Sequence, residues 1–179
     1  MILAAGSGKR LRPLTAYVPK AAFPLLGRPL IEYTLRTLSR KGIRDVVVNL
    51  RHDAEVLERS LARAPEAMNL HRSIEANLLG TAGGLKNVES HFSEGTFLLL
   101  NGDTLVDFDL EDLVRLHRES KAKATLLLRQ KPAGTSYSVV SSDVNGRIQS
   151  VGRGMGGGQE LMFAGVWVLE PSVFSYLSG

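Results

Sequence analysis

At 179 residues the chain suits one domain, long enough to bury roughly 70% of the surface its unfolded form would expose, and its lack of cysteine excludes disulfides, thiol catalysis and thiolate metal sites. No apolar run approaches the ~20 residues that span a bilayer, which excludes a membrane helix and makes the cytoplasm the expected compartment. The formal charge of +4 is lopsided, with eleven Lys or Arg against five Asp or Glu in residues 1 to 60 and eleven against thirteen afterwards, a distribution that suits a local polyanion pocket and argues against a broad nucleic-acid face.

Met1 to Ala5 reads as a first strand that stops at Gly6, and without a preceding basic region it does not read as a signal peptide. Pro29 suits a first helical position, and Leu30, Tyr33, Leu35 and Leu38 give the apolar stripe of a helix ending near Gly42. Asp45 to Leu50 reads as a second strand, followed by Asp53 as the N-cap of a helix through about Ala64. Leu70 to Ala76 is a further strand, and Gly80 to His91 a glycine-rich turn feeding a helix. Phe97 to Leu100 is a buried strand that delivers Asn101, Gly102 and Asp103 at its end. This βαβαβαβ order is the sequence form of an α/β sheet. Leu110 to Ala122 then has helical spacing, and Ala124 to Gln130 reads as a strand. Tyr137 to Val140, Arg147 to Val151 and Met162 to Leu169 are strands joined by turns, among them Asn145-Gly146, a hairpin signal. Gly152 to Gly158, with five glycines, reads as a loop.

Ligands of α/β sheets bind beyond the carboxyl ends of the strands, so the run after strand one carries most information. Here it is Gly6-Ser7-Gly8-Lys9-Arg10-Leu11-Arg12-Pro13-Leu14-Thr15. Glycines let backbone N–H groups approach phosphate oxygens, and the adjoining cations neutralise them. Lys9, Arg10, Arg12, Lys20 and Arg28 all precede the first carboxylate, Glu32. The dinucleotide fingerprint fails because Leu11 stands where its third glycine belongs, and the Walker pattern fails for want of a Gly-Lys-Ser/Thr triplet. Taken alone, the run is either a phosphate cradle or a tight turn with solvated cations.

The longer pattern is more specific. ILAAGSGKRLRPLT followed by VPKAAFPLLGRPLIEYTL resembles the opening signature of the sugar-1-phosphate nucleotidylyltransferases, the nucleotide-sugar pyrophosphorylases. LLGTAGGL and LLLNGDTLVDFDL resemble that family's base-binding loop and metal-binding strand end, and FAGVWVLEP its later sugar-site strand. The resemblance implies an α/β, three-layer α/β/α Rossmann-like nucleotide-diphospho-sugar transferase fold with a mixed, mostly parallel sheet. It also implies attack by a sugar 1-phosphate on the α-phosphorus of a nucleoside triphosphate, with release of pyrophosphate. Carried over by position, Arg10 would hold the β and γ phosphates and Lys20 the phosphates near the reacting centre. Ala4, Ala5, Gly6, Ser7, Gly8, Lys9, Gly80 and Thr81 would bind the nucleotide, Asp103 would bind Mg2+, and Gly165 and Glu160 would lie by the sugar. The Gly80-Thr81-Ala82-Gly83 run most resembles guanylyltransferases acting on mannose 1-phosphate, with uridylyl- and thymidylyltransferases as alternatives.

The chemistry agrees with this inventory: a sugar phosphate is already ionised, so cations and a metal are needed rather than a general base. Other residues read as structural. Asp107, Asp109, Glu111 and Asp112 open a helix, where carboxylates favour the dipole, with Asp107 a lesser candidate for the site's rim. His52, His71, His91 and His117 lack zinc spacing and read as scattered surface or partly buried residues. Trp167 and Tyr137 fall in strands, and Trp167 reads as core. Two departures from the family stand out. The lysine that many members place on the sugar phosphate is missing from VGRGMGGGQELMFAG, where Arg153 is a substitute. The family's second metal-binding aspartate comes from a later strand, so residues 1 to 179 are expected to be a single nucleotidyltransferase domain cut short at its C-terminal end. A non-catalytic nucleotide-sensing domain of the same fold is the alternative.

Overall fold

A computed structural model describes residues 1–51, 54–152 and 160–177. The chain begins with β1 (Ile2–Leu3), then runs through three short 3₁₀ turns and a two-stranded ribbon, β2 (Pro24–Leu25) and β3 (Arg28–Pro29), into α1 (Leu30–Arg40). Three strand–helix units follow: β4 (Asp45–Arg51) with α2 (Glu55–Leu61), β5 (Asn69–Glu75) with α3 (Gly80–Lys86), and β6 (Phe97–Asn101) with α4 (Leu110–Glu119). The remainder is strand-rich, with β7 (Ala124–Gln130), β8 (Val140–Ser142), β9 (Ile148–Val151) and β10 (Leu161–Leu169).

Eight of these strands form one mixed sheet. Its parallel half has the order β5-β4-β1-β6, with Ile2 in register with Val48 on one side and Leu100 on the other. Its antiparallel half is built around β10, which pairs with β6, β7 and β8. The register of β10 against β7 shifts between Phe163 and Trp167, where Gly165 takes a φ of 91°.

The run Val46-Val47-Val48 is apolar without alternation because both faces of the parallel half are covered. Val46 and Val48 pack with Ile31, Leu35 and Leu38 of α1, Leu57 and Leu61 of α2 and Leu113 of α4. Val47 points the other way, to Leu85 of α3, Val88 and Phe174. This is the three-layer α/β/α arrangement and mixed sheet that the sequence implied. No helix among the described residues is long and apolar enough to cross a membrane.

Several boundaries differ from the sequence expectation for local reasons. Pro29 ends β3 and stands as the N-cap of α1 rather than its first residue. The β2–β3 ribbon turns on Leu26 and Gly27, both at positive φ, a hairpin whose usual Asn-Gly signal is absent. α4 stops at Glu119 rather than Ala122, with Lys121 at a φ of 49° just beyond the helix end. Tyr137 lies outside any strand and is exposed, because pairing with β10 and β9 begins only at Val140. Trp167 packs against Phe163 with ring centroids 3.9 Å apart, in line with a packing role. Asp109 caps α4, accepting from the Asp112 N–H at 3.0 Å, and Asp107 is exposed. Asp53, His52, Arg153 and most of the glycine run from Gly152 to Gly158 lie outside the described residues.

The largest correction concerns His117, which is 1% exposed rather than a surface or partly buried residue. Its Nδ1 lies 2.8 Å from Thr125 Oγ1 and its Nε2 3.0 Å from Glu170 Oε1, so both ring nitrogens have partners and burial costs little. His71 and His91 also meet, with ring centroids 5.1 Å apart. Among the described residues, however, no group of three or more His, Asp or Glu side chains gathers for a metal.

Candidate active site

Strands β1, β4, β5 and β6 are parallel, so their carboxyl ends deliver their following residues to one edge of the sheet. A cleft of about 330 Å³ opens there. One wall is Ala4, Ala5, Gly6, Ser7 and Gly8, and the opposite wall is Leu78, Gly80 and Thr81. Asn49, Glu75, Lys20, Asn101 and Asp103 complete it.

The loop after β1 is built rather than loose. Gly8 takes a left-handed φ of 57° and starts a 3₁₀ turn over Lys9–Leu11. Thr15 folds back onto it, donating from Oγ1 to the Gly8 carbonyl at 2.9 Å. Its methyl group sits 2.6 Å from where a Cβ on residue 8 would lie, so both backbone angle and space demand glycine. Ala4 and Ala5 are buried, whereas Lys9 and Arg10 are exposed. Neither cation has an ion pair among the described residues, and neither lines the cleft. In the chain they directly follow Gly8, which lines the cleft.

Lys20 belongs to a third 3₁₀ turn, Lys20–Ala22, whose two alanines are buried in the core. That anchor aims Lys20 across the cleft, where Nζ donates to Asp103 Oδ2 at 2.6 Å. The two residues are 83 positions apart in sequence, and each is about one third exposed. Asp103 is held in turn by the Thr104 hydroxyl, which donates to Oδ1 at 3.3 Å. The Asn101-Gly102-Asp103 run leaves the end of β6 as a turn that stays tied to the sheet, since the Gly102 N–H donates to the Leu3 carbonyl at 2.9 Å.

Under the cleft lies a polar cluster that sequence reasoning missed. Asn49 and Glu75 are each 3% exposed. The Ala4 N–H donates to Asn49 Oδ1 at 2.7 Å, and Asn49 Nδ2 donates to Glu75 Oε1 at 2.8 Å. The Leu79 N–H donates to Glu75 Oε2 at 3.2 Å. A signal was present: Asn49 interrupts Val-Val-Val and Leu in a strand buried on both faces, and a buried polar group costs about 1–3 kcal/mol unless partnered.

The cleft therefore unites Ala4, Ala5, Gly6, Ser7, Gly8, Lys20, Gly80, Thr81 and Asp103. Gly165 and Glu160 are not among its lining residues. Gly165 is buried in β10 with the side chain of Thr104, the neighbour of Asp103, 3.3 Å from where its Cβ would lie. Glu160 is exposed and paired with Lys131, Nζ to Oε2 at 3.1 Å.

Residues 1–178 match the nucleotidyl transferase family. Among curated proteins, the chain is similar to a UTP–glucose-1-phosphate uridylyltransferase of Synechocystis, 36% identical over 99% of this chain and 50% of that protein. It is also similar to a mannose-1-phosphate guanyltransferase of Gibberella zeae, 34% identical over 78% of this chain and 40% of that protein. The chain thus spans about half the length of the curated relatives it matches. Among solved structures it shares the fold of HddC from Yersinia pseudotuberculosis complexed with GMP-PN, with a TM-score of 0.83 at 20% identity over 99% of this chain and 79% of that one. It likewise shares the fold of a UDP-glucose pyrophosphorylase from Acinetobacter baumanii, with a TM-score of 0.79 at 20% identity over 97% of this chain and 74% of that one.

Proposed function

The chain belongs to the nucleotidyl transferase family, and from that premise we propose that it joins a nucleoside triphosphate to a sugar 1-phosphate. A phosphate oxygen of the sugar phosphate attacks the α-phosphorus, the bond to the bridging oxygen breaks, and pyrophosphate leaves with the electron pair. The observation that carries this reading is the convergence of the Gly6–Gly8 backbone and the Lys20–Asp103 pair in one cleft at the strand ends.

The sugar phosphate is ionised at neutral pH, so the residues have charge to manage and no proton to remove. Arg10, on the rim, presents a fork suited to the β and γ phosphates as negative charge builds on the leaving group. Lys20 supplies a point charge nearer the reacting centre, exchanging Asp103 for phosphate when substrate enters. Ala4 to Lys9, Gly80 and Thr81 hold the nucleotide and exclude water from it. Asp103 fits Mg2+, which takes one or two carboxylates together with phosphate oxygens; when bound, the ion supplies further neutralisation of the phosphates. Gly165, with Thr104 packed on it, and Glu160 are proposed for the sugar side.

For the base, the reading favours GTP with mannose 1-phosphate. Glu75 is a carboxylate on the floor of the cleft, an acceptor only when ionised, and guanine offers it two adjacent donors, N1–H and N2–H. Uracil and thymine offer one donor flanked by carbonyls, which a carboxylate repels. Similarity to a uridylyltransferase at 36% identity supports the alternative, a uridylyl- or thymidylyltransferase. The test is pyrophosphate release from GTP, UTP and dTTP, each with mannose 1-phosphate or glucose 1-phosphate. Release is expected only with sugar phosphate present, and fastest from GTP with mannose 1-phosphate. Release without sugar phosphate would overturn the transferase reading, and nucleotide binding with no release would favour a sensing domain.

A further inference from the structure

Asn49 joins the two walls of the cleft from below. It lies in β4 among buried Val48 and Leu50, and its orientation is forced. The Ala4 group in contact with Asn49 is the N–H, a donor, and the Glu75 carboxylate on the other side is an acceptor, so the amide oxygen must face Ala4 and the amide NH2 must face Glu75. This settles which end of the amide is which from chemistry alone. Glu75 then reaches forward to the Leu79 N–H, one residue before Gly80. The segment that leads into the phosphate loop and the segment that opens α3 are therefore held by one continuous chain of hydrogen bonds.

The cluster is also enclosed tightly. Gly84 of α3 stands over it: a Cβ there would lie 2.7 Å from Glu75 Oε1 and 3.0 Å from Asn49 Nδ2. The Glu75 carboxylate has room for one arrangement, and a neutral amide, not a cation, holds it there. The charged groups around it are Arg51, its register partner on β4, and Lys20 and Asp103, which line the same cleft.

We infer that Asn49 is a positioning residue for nucleotide recognition, orienting the Glu75 carboxylate toward the base and fixing Ala4 at the root of the phosphate loop. This rests on the nucleotide-binding reading of the cleft. Nothing in a purely structural role would make nucleotide affinity depend on which of residues 49 and 75 is the donor.

The experiment exchanges donor and acceptor. In Asn49→Asp the new carboxylate still accepts from Ala4 but faces Glu75 with a second oxygen, and two carboxylates in hydrogen-bond contact hold one proton between them. Equilibrium binding of GTP and UTP to wild type, N49D and the double variant N49D/E75Q is measured from pH 5.5 to 8.5, with thermal melts as the folding control. Relative to wild type at each pH, N49D is expected to bind GTP about tenfold more weakly at pH 8.5 and to recover toward pH 5.5 as the shared proton restores the bond. N49D/E75Q re-forms the bond in the opposite sense, with the amide now at position 75 donating to the carboxylate now at position 49. It is expected to lose that pH dependence and to bind GTP and UTP with similar affinity.

An N49D-to-wild-type ratio within twofold at every pH, or a double variant as pH-dependent as N49D, overturns the inference while leaving the function reading intact. Should N49D fail to fold, the double variant decides by its GTP-to-UTP ratio: an unchanged preference for GTP overturns the inference, and a lost preference supports it. A wild type that binds no nucleoside triphosphate overturns both readings together.

Discussion

The rim and the floor of the cleft are made in opposite ways. On the rim, Lys9 and Arg10 are exposed, and so are their apolar neighbours Leu14, at 63%, and Tyr17, at 80%. Little packing holds these side chains, and their contribution is charge. On the floor, Ala4, Asn49, Glu75 and Gly84 are buried and hydrogen-bonded or in close contact, with no cation among them. On the proposed function, the contrast separates two tasks within one site. Attraction of a polyanion tolerates mobile groups because Coulomb interactions fall off slowly with distance. Reading a base does not, because hydrogen bonds fail over fractions of an ångström. Lys20 joins the two, with a buried anchor at Ala21 and Ala22 and a working end about one third exposed.

The sharpest test of that division is Lys20→Ala. If its role is charge at the reacting centre, kcat should fall by about 10²- to 10³-fold. The melting temperature should move by no more than about 3 °C, because a partly exposed ion pair contributes little to folding. A large loss of stability with modest loss of rate would place Lys20 with the floor alone.

His117→Ala asks the reverse question at a site away from the cleft. It removes a buried ring and leaves Thr125 and Glu170 without their shared partner, a cost of about 2–3 kcal/mol in urea unfolding. Nucleotide affinity should not change. If it does, the floor is coupled to the core through the sheet, and the two tasks are less separable than the geometry indicates.

Gly84→Ala separates recognition from stability on the floor itself. An alanine in α3 gains about 1 kcal/mol of helix propensity, which offsets the displacement of Glu75, so the melt should hardly change. GTP binding should weaken by about tenfold, measured by titration. Unchanged binding would show that the Glu75 carboxylate has more freedom than its contacts allow.

The smallest effect is in acid. Burial pushes the Glu32 carboxyl up, but hydrogen bonds and charge from Arg36 and Arg28 outweigh it and hold it below its ordinary 4.5. The Thr96 hydroxyl, and then His117, hold Glu170 below the same value. A carboxyl depressed in the folded state stabilises fully above its ordinary value and loses that contribution as pH falls through its depressed one. Wild type should therefore lose stability more steeply below pH 4.5 than Glu32→Gln combined with Glu170→Gln.

Much of the fold was legible in the chain. The stripe of Leu30, Leu35 and Leu38, the apolar run at Val46 and the carboxylates that open α4 report on neighbours within a few residues, and each produced its element close to the expected place. The β2–β3 ribbon was not legible, because Leu26 carries no turn signal. The rim of the site was legible for the same local reason: glycines and cations crowd into residues 6 to 12. The floor was not. Asn49 and Glu75 are 26 residues apart, and neither position carries a motif of its own.

By itself, then, the sequence determined the order of the main strands and helices and the glycine and cation content of the loop, because periodicity, capping and turn chemistry act over a few residues, and its motifs carried the resemblance to the family. Only the tertiary structure decided that Lys20 meets Asp103, that Asn49 holds Ala4 to Glu75 and that His117 is enclosed between Thr125 and Glu170. Those pairings depend on strand order and register, which set distant residues side by side through the closing of loops and the burial of apolar faces on both sides of the sheet.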